Sequence, residues 1–76
     1  MLDKYLKLIE CDDIYVPEEL EINEDFFMDI GTYLDQLEQL KDLYSISLEY
    51  HDTYYKGFFI GTDLLEICKQ YYKENQ

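Results

Sequence analysis

The stretch NEDFFMDIGTYLDQLEQLKDLYSISLEYHDTYYKGFFIG, residues 23–61, changes its hydrophobic period partway along, and that change sets the fold class. From about Glu24 to Leu43 the residues Phe26, Ile30, Tyr33, Leu34, Leu37, Leu40 and Tyr44 recur at helical spacing and predict one apolar face. Asn23 suits the N-cap, and Glu24 and Asp25 complement the helix dipole in the first turn. Ile22 and Phe27 stand at the two positions of a hydrophobic staple. Gly31 interrupts this helix at a cost of about 1 kcal/mol relative to alanine, which marks a kink or a close approach of another element.

After Leu43 the period falls to two. Ile46, Leu48 and Tyr50 alternate with Ser45, Ser47 and Glu49, His51-Asp52-Thr53 reads as a turn, and Tyr54 to Ile60 reads as a second strand with aromatic residues on both faces. Gly61 ends that run. Thr62 or Asp63 is the expected cap of a last helix, Asp63 and Glu66 having capping-box spacing. Leu64, Leu65, Ile67, Cys68, Tyr71 and Tyr72 give this helix a broad apolar face.

Upstream, Leu2, Tyr5, Leu6 and Ile9 fit a short amphipathic helix, with a strand over Tyr5–Cys11 as the alternative because Leu8 falls off the stripe. Cys11 to Asn23 has no helical period, and Pro17 disfavours helix at Val16. It reads as an extended acidic loop pinned to the core by Ile14, Val16, Leu20 and Ile22. The expected fold is α+β over a single domain, residues 1–76: a short N-terminal helix, an acidic loop, a central amphipathic helix, a β-hairpin and a C-terminal helix. An all-α bundle is the alternative if Ser45–Ile60 is less extended than its pattern.

A chain of 76 residues is near the lower size limit for an independent core. Nine Tyr and four Phe can fill such a core without disulfide or metal, since each large ring buries roughly 150–250 Å². Self-association is another remedy at this size, so a homodimer is admitted. The absence of Ala and Arg beside abundant Lys, Tyr, Ile and Phe reflects AT-rich codons and points to a low-GC bacterium or its phages. Cys11 and Cys68 lack the dense spacing of a disulfide framework. The start MLDKYLKLIECDD has only a short apolar run followed by acids, so no secretory leader is expected. With no long apolar stretch, the expectation is a cytoplasmic protein in a bacterial host cell, with both thiols reduced and buried.

Charge is the strongest functional signal. Eleven carboxylates lie between Leu8 and Leu40 without one lysine among them, so −11 of the net −12 comes from a continuous segment. Such a field repels nucleic acid and anionic membranes and attracts basic protein surfaces. Direct nucleic-acid binding is therefore disfavoured. On the central helix Glu24, Asp35, Glu38 and Asp42 fall within about 60° of one another, and Asp35 to Asp42 spans roughly 10 Å. Phosphates along one DNA strand advance about 3.4 Å per nucleotide, so the carboxylates repeat on a comparable scale. With Asp12, Asp13, Glu18, Glu19 and Glu21 from the loop they would present a phosphate-like array to lysines and arginines shaped for nucleic acid. Tyr54 and Tyr55 are candidate aromatic anchors at the same contact.

No catalytic site is expected. The lone His51, beside Asp52, has no nucleophile motif or phosphate loop to serve. No cofactor is implied. The crowded acids lack EF-hand spacing, and zinc motifs are missing, so no dedicated metal site is expected.

In composition, size and charge layout the chain is similar to phage-encoded DNA mimics, anti-restriction proteins and anti-CRISPR proteins. That resemblance implies a non-enzymatic inhibitor of a nucleic-acid-binding enzyme or CRISPR effector. Two other functions fit the same sequence. An antitoxin or immunity protein neutralising a basic toxin would use the same electrostatics. A regulatory or structural subunit would contact its partner through the aromatic residues, its acids merely solvated.

Overall fold

The computed structural model describes residues 2–47 and 53–76. Within them the chain is α+β, with elements in the order α1 (Leu2–Cys11), α2 (Glu24–Tyr44), β1 (Thr53–Tyr55), β2 (Phe58–Ile60) and α3 (Thr62–Glu74). The two strands form an antiparallel hairpin.

The first helix buries Tyr5 and Ile9, with Leu2 and Leu6 half-buried beside them, which excludes the strand alternative. It ends in a Schellman motif. Ile14 N–H donates to Ile9 O at 3.2 Å, Asp13 N–H donates to Glu10 O at 3.3 Å, and Asp13 takes the left-handed φ of 52°. Asp13 is therefore a helix terminator as well as a surface acid. The acidic loop then runs along the core. Leu20 is buried, and Ile14, Val16 and Ile22 pack half-buried against the same cluster.

Asn23 caps α2 as its sequence position indicates, its Oδ1 accepting from Phe26 N–H at 3.0 Å. The buried face differs from the expected one. Phe26, Phe27, Ile30, Gly31 and Leu34 are buried, whereas Tyr33, Leu40 and Tyr44 are exposed. The face is turned towards Phe27 and Gly31 because α3 packs there. A Cβ at Gly31 would fall onto Tyr72 Cβ and lie 2.6 Å from its Cγ, so the glycine marks a close helix–helix approach.

The hairpin also differs in detail. Its turn is Lys56-Gly57, both with positive φ (49° and 84°), the signature of a type I′ turn. The expected strand Tyr54–Ile60 is thus two short strands paired Thr53↔Ile60, Tyr54↔Phe59 and Tyr55↔Phe58. Reversal of the chain changes which side chains share a face. Tyr54 and Phe59 point outward together, while Tyr55 and Phe58 face the core. Thr53 belongs to β1 rather than to a turn, and Ile46 and Ser47 follow α2 without strand pairing. The rest of the expected strand and turn, residues 48–52, with His51, lies outside the described residues. Gly61, not Thr62 or Asp63, is the N-cap of α3.

The core is aromatic at its centre. Tyr5 meets Tyr71 edge-on at 5.1 Å, Phe27 lies 5.1 Å from Tyr71, and Phe26 meets both Phe27 and Tyr55 edge-on at 5.7 and 5.2 Å. Leu34, Ile60, Leu64, Leu65 and Cys68 close it. The Tyr5 hydroxyl is buried with no hydrogen-bond partner among the described residues. Leaving such a group unpaired costs about 1–3 kcal/mol. Tyr5→Phe is accordingly expected to raise stability by about 1 kcal/mol in urea unfolding, and a loss of stability would show that the hydroxyl is satisfied.

Candidate partner-binding surface

The expected site residues separate into two groups. Asp12, Asp13, Glu18, Glu19 and Glu21 are all exposed on the loop, and among the described residues none is in an ion pair. The loop stays solvated because its apolar residues alone reach inward, leaving the carboxylates on the outer side.

The α2 acids are more engaged. Glu38 is half-buried between two lysines of α3, paired with Lys69 and with Lys73 at 3.8 Å. It ties α2 to α3, and its charge is locally matched. Asp35 accepts from Gln39 Nε2 at 2.9 Å along the same helix. Glu24 lies beside Tyr71, whose hydroxyl is pushed above its ordinary pKa first by burial and then by that carboxylate. Asp42 is exposed near the end of α2. The stripe is therefore not one uniform open row, since rotation of the helix brings Glu38 to the α3 side.

Of the two candidate anchors, Tyr54 is 73% exposed and stacks edge-on against Phe59 at 5.2 Å. Tyr55 is half-buried against Phe26, and its hydroxyl donates to Asp29 Oδ2 at 3.0 Å. Burial, and then Asp29, raises its pKa. Tyr55 thus braces the hairpin on α2 while Tyr54 faces outward.

Tyr15 and Asp63 join this surface without being expected there, and Phe59, one of the strand's aromatic residues, joins it paired with Tyr54 rather than with Tyr55. A cleft of about 430 Å³ is lined by Asp13, Ile14, Tyr15, Phe59 and Asp63. A second, of about 440 Å³, shares Ile14 and Asp63 and adds Asp12, Glu66 and Ile67. Both are lined by apolar and acidic residues together, with no lysine among them. The Lys56-Gly57 pair was the available signal for Phe59, because a two-residue turn there places it opposite Tyr54.

Neither cysteine is bonded. Cys68 is buried as expected, but Cys11 is exposed at the end of α1, where the helix presents it beside Glu10 and Asp12. Burial pushes the Cys68 thiol from its ordinary 9.0 up to about 12. The folded state then holds a proton that the unfolded chain releases, so this contribution is intact below pH 9 and is lost as pH rises from 9 towards 12. A thiol reagent at neutral pH is expected to label one cysteine rapidly in the native protein and the second only on unfolding. Rapid labelling of both would contradict the burial of Cys68.

Among the described residues, no group of three His, Cys, Asp or Glu side chains is arranged to hold a metal ion. No described helix is long and apolar enough to cross a membrane. Comparison with protein-family models, with curated proteins and with solved structures finds no match to this chain.

Proposed function

We propose that this protein is a non-enzymatic, cytoplasmic inhibitor that occupies the nucleic-acid-binding surface of a basic partner by presenting nucleic-acid-like charge. The observation that carries the reading is the loop: five carboxylates exposed together, none matched by a described lysine, beside outward-facing aromatic rings. A cleft lined with lysine and arginine would meet these acids as it meets phosphates, in charge-assisted hydrogen bonds. Tyr54 and Phe59 would provide the desolvated centre that long-range charge lacks. Glu38 contributes less than its position in the helical stripe implies, because α3 already neutralises it. The partner class is a nuclease, CRISPR effector, repair enzyme or other nucleic-acid-binding protein of a low-GC bacterium.

The exposed Tyr54–Phe59 pair supports a second reading, a regulatory subunit whose contact is chiefly apolar. Salt separates the two. Attraction through exposed acids weakens steeply between about 50 and 500 mM salt, whereas an apolar contact persists. The test is capture on the immobilised protein from a Gram-positive, AT-rich lysate, eluted by a salt gradient and by added DNA. A basic nucleic-acid enzyme released at moderate salt and displaced by DNA supports inhibition by mimicry. A neutral partner that resists high salt and ignores DNA supports the second reading and overturns the first.

A further inference from the structure

We propose that the C-terminal half of α2 is a self-association face, on which a second copy of this chain packs antiparallel. Helix α2 has 21 residues and α3 has 13, about 31 and 20 Å at 1.5 Å per residue, so α2 is much the longer of the two packed helices. Phe26, Ile30, Tyr33, Leu37, Leu40 and Tyr44 follow one another at intervals of four, three, four, three and four residues, the spacing of a coiled-coil seam. The first two are consumed by the core, and Leu37 is half-buried. Tyr33, Leu40 and Tyr44 emerge on the surface, flanked by Leu43 and followed by Ile46. Leu43 is 72% and Tyr44 65% exposed, unusual for apolar residues neighbouring on one helix.

Charge selects the occupant. A chain of net charge −12 repels its own copies, so self-contact is tolerable only where carboxylates are missing. Among the described residues, the C-terminal half of this face carries no carboxylate. Asp35 and Asp42 project from the opposite side of the helix, and Glu38 is turned to α3. Asp29 lies one turn before Tyr33 and accepts the Tyr55 hydroxyl. Asp29 is the one described carboxylate at the edge of the seam, at its N-terminal end, and beyond it the flanks carry Lys41 on one side and Gln36 on the other. A basic partner gains nothing from such a face, whereas a second copy finds its own apolar seam with little repulsion. About a two-fold axis, Leu37 meets Leu40 of the second copy and Tyr33 meets its Tyr44. Five exposed side chains per copy, Tyr33, Leu40, Leu43, Tyr44 and Ile46, make a small patch beside the roughly 20–30 residues a side of a standard interface. The dimer is correspondingly weak and reversible.

Sedimentation equilibrium of the whole chain from about 1 to 300 µM, at about 50 and 500 mM salt, tests this. The expected result is a mass rising from 9.3 kDa towards twice that value, with tighter association at high salt as repulsion is screened. That salt response is opposite in sign to the one expected for capture of a basic partner, so either reading can fail without the other. Leu43→Glu, at a position too exposed to disturb the core, is expected to weaken the dimer at least tenfold with an unchanged circular dichroism spectrum. Tyr54→Ser is expected to leave the dimer intact. A monomer at every concentration and both salts, or a dimer indifferent to Leu43→Glu, would overturn the proposal.

Discussion

Reversing Asp12, Glu18, Glu19 and Glu21 to lysine is expected to leave the protein folded and to lower its affinity for a basic partner by about 100-fold at low salt. All four side chains are exposed, and none is paired with a described lysine, so the substitutions break no described ion pair. The four reversals, each worth two charges, take the net charge from −12 to −4. An exposed ion pair is worth about 0.2–1 kcal/mol, and repulsion replaces attraction at each position, so a total near 3 kcal/mol is the natural scale. Most of the loss should fall on the association rate, since these charges act by steering. Asp13 is left out because its left-handed backbone closes the Schellman turn. Glu38 is left out because a lysine there would face Lys69 and Lys73 and lower stability directly. Calorimetry or surface plasmon resonance at two salt concentrations, beside a thermal melt, measures both effects. An unchanged affinity in a folded quadruple variant would remove the loop from the binding surface.

Much of the architecture can be read from local pattern. The Asn23 cap, the α2 boundaries, the loop anchored by Leu20 and the apolar residues of α3 all follow from signals within a few residues of one another. The differences arise where a distant element decides. Which side of α2 is buried depends on where α3 lies, and helical periodicity alone admits a stripe through Tyr33, Leu40 and Tyr44 as readily as one through Phe27 and Gly31. The same rotation explains why Glu38, about 60° from Asp35 on a helical wheel and within the same acidic stripe, becomes an interhelical clamp. The hairpin differs for a local reason. Lys-Gly is a weaker turn signal than Asn-Gly because lysine must adopt positive φ, and the five aromatic or apolar residues around it concealed it. On the candidate surface, the loop acids were legible from charge alone. The meeting of Phe59 with Tyr15 and Asp63 was not, since it depends on the hairpin turn and on the packing of the loop beside α3.

Gly31→Ala is the substitution in which propensity and packing oppose each other most sharply. Alanine would favour an isolated helix by about 1 kcal/mol. In this fold the added methyl falls on Tyr72 Cβ, the atom that fixes that side chain to its own helix, so rotation of the ring cannot relieve the contact. Either α2 and α3 separate, weakening the seam between Leu34, Leu65 and Cys68, or the residues around Gly31 leave helical geometry. Overpacking of this kind costs about 1–3 kcal/mol, a large part of the stability available to so small a domain. The expected result is a net loss of stability and a fall in melting temperature of about 10 °C. Tyr72→Gly removes the obstructing Cβ, so the two substitutions should be strongly non-additive in a double-mutant cycle, with Gly31→Ala far less costly in the Tyr72→Gly background. If Gly31→Ala instead raised the melting temperature, the glycine would be a propensity defect alone, and the close passage of α2 over α3 would be refuted.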